Sequence, residues 1–247
     1  MCNYWCLFIS QNEFIDRHQI KENYMNLNCV ILIHGLGRLK SSMTKLGKAF
    51  NNAEFNVVNW SYSSTKLNIT DIAHNLYDVF KINAKNHNKV YFVTHSLGGI
   101  IVRRMMAIFN IKNLDGIVMI APPNNASAFA RWILKYPTIK TIMGPAGQEL
   151  MSQKHIEKIC AVPKSGVMVV AGTKCLSFNN PNSWISQSVL KKPHDGTVTF
   201  EETKLPNMEK FITVKASHTF IASNQDVIRE AVEFLKNKSN INIPSIQ

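Results

Sequence analysis

The sequence predicts an α/β protein with a mostly parallel central sheet, helices on both of its faces and a single domain. Short strand-forming runs alternate along the chain with helical patterns. Several of those runs are apolar throughout, as strands buried on both faces of a parallel sheet are. Helix-length connections between strands form βαβ units. The chain has 247 residues and no repeat or low-complexity linker, which suits one α/β domain.

Each predicted element follows from its local pattern. The six strands are predicted at 30–33, 56–60, 90–94, 116–120, 167–171 and 211–215. The clearest amphipathic helices are predicted at 71–80 and 224–235, where apolar residues recur at helical spacing. We therefore expect a folded domain over 29–236, with a short cap at 122–163. Residues 1–28 are expected to form an extension or edge element, and 237–247 a tail.

The number and distribution of charged residues exclude some classes of binding partner. Lys and Arg number 28 against 16 Asp and Glu, which gives a net charge of +12. The basic residues are spread along the chain without a run of five or aromatic interleaving, so nucleic acid is not predicted as a partner. Weak peripheral contact with an anionic membrane remains an alternative to a simple lysine-rich surface. The sequence predicts no obligate protein partner, and its apolar runs fall short of the ~18 residues of a membrane span.

Cysteine usage predicts a reducing compartment. The five cysteines are odd in number and lack the Cys-x-x-Cys spacing, so neither a zinc site nor a full disulfide framework is expected. We predict no metal and no cofactor. The first ten residues lack a basic region and a small-residue cleavage site, which favours a cytoplasmic location. Export without an N-terminal signal and acylation of Cys2 or Cys6 stay open.

Ser96 is the candidate nucleophile. It stands between the predicted strand 90–94 and a helical stretch at 100–106, in the sequence Thr-His-Ser-Leu-Gly-Gly. A serine on such a turn needs small neighbours, which Gly98 provides, and the helix amino terminus directs amide dipoles at forming negative charge. Thr94 occupies a position where the Gly-x-Ser-x-Gly rule has glycine.

A second glycine turn supplies candidate oxyanion donors. The predicted strand 30–33 ends in the sequence His34-Gly-Leu-Gly. Because an oxyanion hole needs two donors, we assign the role to the backbone amides of Leu36 and Leu97. The alternative, a phosphate-binding loop, is disfavoured because the glycine spacing of the nucleotide motifs is missing.

A serine nucleophile needs a base. Downstream of Ser96 the histidines are His155, His194 and His218. His218 follows the predicted strand 211–215, so it lies at the carboxyl edge of the sheet where the loops converge. His155 lies in a charged stretch and is expected to be a solvated helix residue. His218 is therefore the predicted base.

The base needs an orienting acid. Between Ser96 and His218 the aspartates are Asp115 and Asp195. Asp115 precedes its strand and lies at the wrong edge, whereas Asp195 lies in a loop after the predicted strand 167–171. The resulting order Ser, Asp, His is that of the α/β-hydrolases.

The chain resembles a compact bacterial α/β-hydrolase of the lipase/esterase group. The resemblance spans about 29–236 and rests on Val30-Ile-Leu-Ile-His-Gly-Leu-Gly37, Val93-Thr-His-Ser-Leu-Gly-Gly99, Ala121-Pro-Pro-Asn124, Asp195-Gly-Thr-Val198 and Ser217-His-Thr219. Thr94 is a variation that lipases tolerate. The resemblance implies ester hydrolysis through an acyl-enzyme, with Ser96, Asp195 and His218 as the triad. Some relatives hold calcium with an aspartate where this chain has Phe220, so no such calcium site is expected.

The predicted cap carries the candidate substrate contacts. A helix capped by Asn125 or Ser127 would place Phe129, Trp132, Ile133 and Tyr136 on one face and stop at Pro137. We take His34, Phe129 and Trp132 as candidate substrate-binding residues, although such a stripe is more often packed core. A second helix is expected to follow 144–147. The short cap favours a small or partly open acyl site.

The predicted function is hydrolysis of carboxylic esters, with lipid esters as one option. A thioesterase or acyltransferase with the same triad is an alternative, and so is a catalytically silent hydrolase fold that acts as a binding module. We expect the site to be uncharged apart from Asp195 and the histidine, and the lysines to lie on the outer surface.

Overall fold

The computed structural model describes residues 28–164, 166–176, 184 and 186–239. Within them, six parallel strands form one sheet in the order β2-β1-β3-β4-β5-β6. The strands are β1 Cys29–Ile33, β2 Asn56–Trp60, β3 Val90–His95, β4 Leu114–Ile120, β5 Val167–Gly172 and β6 Lys210–Val214. The predicted parallel sheet is confirmed, with strand ends within two residues of expectation.

The register brings the carboxyl ends of neighbouring strands to one edge. Ile33 of β1 pairs with Thr94 of β3, and His95 of β3 pairs with Ile120 of β4. All residues of β1, β3 and β5 are buried, which explains why these strands read as continuous apolar runs. The loops that follow the strands therefore meet above a rigid, fully covered platform.

Helices cover both faces of the sheet. They are α1 Thr44–Asn52, α2 Ile69–Asn86, α3 Leu97–Ile108, α4 Ala128–Ile133, α5 Pro137–Glu149, α6 Gln153–Ile159, α7 Phe200–Thr203 and α8 Gln225–Ser239. One apolar core lies between the sheet and α2, α3 and the cap, with Leu76, Ile101 and Leu150 among its members. The other lies between the opposite face and α1 and α8, with Phe50 and Phe234.

The last helix extends past the boundary predicted for the tail. It continues to Ser239, whereas the tail was expected to begin at 237. Its apolar face, which includes Val227 and Leu235, stays buried along the helix and keeps it docked. The predicted extension, with Cys2 and Cys6, and the tail beyond 239 lie outside the described residues.

The cap at 122–163 contains three helices, α4 to α6. Ser127 caps α4, since its side chain accepts a hydrogen bond from the amide of Ala130. The predicted single helix reaching Tyr136 was wrong: α4 ends at Ile133, and Pro137 opens α5 because proline suits the first helical turn. The helix expected after 144–147 is present as α6, and the segment 144–147 itself lies within α5, which has a kink at Gly144.

None of the described helices combines the length and the apolar character that crossing a bilayer requires.

Candidate active site

Ser96 lies on a strained turn between β3 and α3. Its backbone has φ 51° and ψ −119°, a conformation that non-glycine residues rarely adopt. A Cβ atom on Gly98 would lie 2.7 Å from the carbonyl oxygen of Ile33, so only glycine fits there. Thr94 is buried and donates a hydrogen bond from Oγ1 to the carbonyl of Val118 at 3.3 Å, which accounts for its place in the turn.

Of the three predicted catalytic residues, His218 lies within hydrogen-bond distance of both Ser96 and Asp195. The Nε2 atom of His218 is 3.0 Å from Oγ of Ser96, and its Nδ1 atom is 2.7 Å from Oδ2 of Asp195. Ser96 and Asp195, which are 122 and 23 positions away from His218 in the sequence, are thus linked through its ring by hydrogen bonds. This is the geometry in which a histidine takes a proton from serine while a carboxylate orients it.

Asp195 is held in place by its own loop. The side chain is only 1% exposed, and its Oδ1 atom accepts hydrogen bonds from the amides of Thr197 at 2.9 Å and Val198 at 2.8 Å. Oδ2 is left to face His218. The amide of His218 also donates to the carbonyl of Asp195 at 2.9 Å, so backbone and side chain fix the pair together.

The site has a buried histidine to which the sequence analysis assigned no role. The Nε2 atom of His95 lies 3.1 Å from the carbonyl oxygen of His218, and their rings are 4.9 Å apart. Burial lowers the pKa of His95 well below its ordinary value, and the neighbouring His218 and Arg38 lower it further. A neutral His95 therefore donates to the loop that carries His218. In the sequence, the position of His95 directly before Ser96 is the one feature that could have indicated a role in the site.

The assigned oxyanion donors flank the serine. Leu36 follows β1 and lines the same cavity as Ser96. Leu97 is the first residue of α3, where amides have no carbonyl partner within the helix. Both backbone segments leave the carboxyl edge of the sheet beside the nucleophile, as a two-donor oxyanion hole requires.

An open cavity leads to Ser96 and His218. Its cap side is apolar, and Phe129, Ala130, Met143 and Leu150 line it. The loops after β1 and β6 also contribute to the lining, with Arg38 and Thr219. The residues from the cap and these two loop residues thus differ in polarity.

Three expectations about this cavity need correction. His34 has no exposed surface and does not line the cavity, because its ring stacks on Tyr62 at 4.3 Å. Trp132 lies on α4 with Phe129, but only Phe129 lines the cavity. The site was also expected to be uncharged apart from Asp195 and the histidine, whereas Arg38 lines its wall.

The other candidate histidines and acids lie apart from this arrangement. His155 is half-exposed on α6 and lies 3.4 Å from Glu149, which confirms it as a solvated helix residue. Asp115 pairs with Lys89 near the amino edge of the sheet. His194 is buried, and its Nδ1 atom accepts a hydrogen bond from the amide of Gly196. Among the described residues, no three His, Cys, Asp or Glu side chains converge as metal ligands do.

The fold matches solved lipases and esterases. The mature lipase BlEst2 of Bacillus licheniformis superposes with a TM-score of 0.63 and 17% identity, over 82% of this chain and 91% of that one. Phospholipase PlaB of Legionella pneumophila gives 0.64 and 15%, over 86% and 60%. The metagenomic carboxyl esterase MGS0156 gives 0.64 and 12%, over 86% and 76%. This chain therefore spans less than two thirds of PlaB.

The sequence itself matches no family model and no curated protein. The structural matches establish the α/β-hydrolase fold, and the predicted resemblance to that fold is confirmed. At such low identity, they establish nothing about substrate.

Proposed function

We propose that this protein is a serine hydrolase that cleaves carboxylic esters through an acyl-enzyme. The observation that carries the proposal is the line of hydrogen bonds from Asp195 through His218 to Ser96, beside an open cavity. Lipases and esterases among the structural neighbours are consistent with it.

The first half-reaction forms the acyl-enzyme. Nε2 of His218 takes the proton from Ser96 as Oγ attacks the ester carbonyl carbon, and the carbonyl oxygen becomes an oxyanion. The amides of Leu36 and Leu97 stabilise that charge. The Asp195 carboxylate stabilises the imidazolium. As the tetrahedral intermediate collapses, the C–O bond breaks and His218 gives its proton to the leaving alcohol.

The second half-reaction releases the acid. His218 takes a proton from water, which attacks the acyl carbon bound to Ser96, and the same histidine then returns the proton to Oγ. The net reaction consumes one water for each ester bond cleaved. It requires no cofactor.

We propose a small or partly open acyl site. The apolar side of the cavity consists of Phe129, Ala130, Met143 and Leu150, and it comes from a cap of only three short helices. We expect 4-nitrophenyl acetate and butyrate to be cleaved with higher kcat/KM than the dodecanoate or palmitate. A strong preference for long chains would contradict this part of the proposal.

The activity itself is tested by ester turnover with Ser96→Ala. Loss of the nucleophile is expected to lower kcat by about 10⁴-fold or more, with the thermal midpoint unchanged. Ser188→Ala changes an exposed serine outside the cavity and serves as the matched control. Turnover by the Ser96 variant within tenfold of the wild type would contradict the proposal.

The same assay separates the alternatives. A thioesterase would cleave butyryl thioesters faster than the oxygen esters, and an acyltransferase would pass the acyl group to an added alcohol in preference to water. A silent binding module would turn over none of these substrates.

A further inference from the structure

Arg38 gives the cavity a fixed positive charge. It is the one lysine or arginine among the residues that line the cavity around Ser96 and His218. Its Nη2 atom donates to the carbonyl oxygen of Thr219 at 2.8 Å, which holds the guanidinium against the loop that carries the histidine. The charge is therefore positioned next to the reacting groups.

Among the described residues, no carboxylate pairs with this charge. Within the described part of the chain, no Asp or Glu oxygen lies within 4.0 Å of the Arg38 guanidinium. No Asp or Glu is among the described residues that line the cavity. A guanidinium has five N–H donors, and the bond to Thr219 uses one of them. The other four have no partner among the described residues, so they are available to an anion.

Other polar groups extend the site outward. Arg38 also lines a shallow surface depression next to the cavity, together with Gly37, Leu39, Ser41 and Ser42. Ser41 is exposed, whereas the hydroxyl of Ser42 donates its proton to the carbonyl of Leu39 and has no proton left for an anion. Ser41 and the free guanidinium donors are the groups that suit an anion.

The residues that line the cavity indicate where the acyl chain and the alcohol portion of an ester would lie. The acyl chain suits the apolar cap side at Phe129 and Leu150, which packs over the α2–α3 face of the sheet. Arg38 and Thr219 lie in the loops that lead to α1 and α8, and Arg38 is bonded to the residue that directly follows His218. Because His218 gives its proton to the leaving alcohol in the proposed mechanism, the alcohol portion of the ester faces Arg38.

We infer that Arg38 is a specificity-determining residue that binds a negatively charged group, a phosphate or a carboxylate, on the alcohol portion of the ester. The inference rests on the proposed ester hydrolysis. Charge-assisted hydrogen bonds to guanidinium are directional and strong, so a nearby anion orients the scissile carbonyl towards Ser96. A neutral alcohol gains no such contact.

Three butyrate esters of one shape test the inference at fixed ionic strength: those of glycerol, glycerol 3-phosphate and glycerate. We expect wild-type kcat/KM to be higher for at least one anionic ester than for butyrylglycerol, and the better of the two identifies the group. Arg38→Gln is expected to lower kcat/KM for that ester about tenfold or more, and for butyrylglycerol less than threefold. Arg38→Lys should retain part of the preference.

Arg229→Gln is the matched control, because Arg229 is exposed on α8 and pairs with Asp226; it should leave the preference unchanged. Equal loss on neutral and anionic esters in Arg38→Gln would show that Arg38 only holds the loop of Thr219, and would overturn the inference. So would a wild type that does not favour either anionic ester.

Binding separates this inference from the proposed function. In the Ser96→Ala background, glycerol 3-phosphate and glycerate are titrated calorimetrically with and without Arg38→Gln. We expect the preferred anion to bind about tenfold or more weakly when Arg38 is replaced. Absent ester turnover with intact Arg38-dependent binding would overturn the hydrolase alone, whereas turnover of butyrylglycerol without Arg38-dependent binding would overturn the anion site alone.

Discussion

At the scale of single residues, the two oxygens of Asp195 have separate tasks. Oδ1 accepts from two backbone amides, and Oδ2 faces Nδ1 of His218. The amides can be satisfied only by an acceptor, so this division fixes the orientation of the carboxylate. It also requires the Nδ1 atom of His218 to carry a proton, which leaves Nε2 free to accept from Ser96.

Asp195→Asn is expected to abolish this arrangement without unfolding the protein. The asparagine oxygen must stay with the two amides, so its NH₂ group faces His218 and forces the proton onto Nε2. We expect kcat for ester hydrolysis to fall by about 10⁴-fold, measured with 4-nitrophenyl butyrate. Asp115→Asn, at the opposite edge of the sheet, should have no effect on kcat. Activity of Asp195→Asn within tenfold of wild type would contradict the role of Asp195.

The buried histidines make the stability of the folded protein depend on pH. Burial lowers the pKa of His95, and it also lowers the pKa of His34 and His194. Below the ordinary histidine pKa of about 6.5, the unfolded chain binds protons at these positions more readily than the folded protein does. Stability is therefore full above this pH and is lost as the pH falls below it.

His95→Gln is expected to flatten this dependence. Glutamine can still donate to the carbonyl of His218, but it has no protonated form. The slope of the unfolding free energy between pH 6 and pH 5, from urea denaturation, should fall by up to about 1.4 kcal/mol per pH unit. His74→Gln, at an exposed histidine, is the control and should keep the wild-type slope. An unchanged slope in His95→Gln would contradict a neutral buried His95.

At the scale of elements, the cap depends on one glycine. Gly144 has φ 66° and ψ −174° inside α5, a conformation that is essentially confined to glycine. A Cβ atom there would lie 1.8 Å from the carbonyl oxygen of Thr65. The kink therefore lets the cap approach the segment before α2.

Gly144→Ala is expected to destabilise the protein by at least about 3 kcal/mol, from backbone strain and overpacking together. Gly37→Ala is the matched control, because Gly37 also has positive φ but a Cβ atom there would meet nothing within 4 Å. It should cost only about 1–2 kcal/mol. Urea denaturation of both variants measures the difference. Equal losses would show that the contact with Thr65 does not constrain the cap.

The elements also show what the sequence could reveal. Strands such as β1 and β3 were predictable because both faces are covered, and their apolar runs are continuous. The candidate triad followed from residues that come directly after strands, since parallel strands end at one edge. The cap was not predictable in detail, because its helix ends depend on Pro137 and on the contact of Gly144 with Thr65. The places of Arg38 and His34 depend on loop paths that no local pattern encodes.

At the scale of the whole molecule, part of the net charge of +12 is concentrated in one surface patch. Lys45, Lys174 and Lys215 line a surface depression together with Phe220, which is 48% exposed. Phe220 is two residues from His218, so this basic surface adjoins the cavity. A lysine cluster around an exposed aromatic ring suits an anionic lipid surface.

We therefore expect weak, salt-sensitive binding to anionic vesicles. Co-sedimentation with phosphatidylserine-containing vesicles should decrease between low and high salt, and neutral phosphatidylcholine vesicles should bind less. Replacing Lys174 and Lys215 by Gln should weaken binding by about 2 kcal/mol. The control pair is Lys85 and Lys112, which are exposed towards the other edge of the sheet. Equal effects of both pairs would indicate a diffuse charge effect rather than a binding surface.

The central claim is that Ser96 is an activated nucleophile, and a fluorophosphonate probe tests it most directly. The probe reacts with a serine only when a neighbouring base activates it. We predict one modification per chain, located on Ser96 by mass spectrometry, and none in Ser96→Ala or in the unfolded protein. A folded wild-type protein that is not labelled, or is labelled equally in Ser96→Ala, would contradict the account.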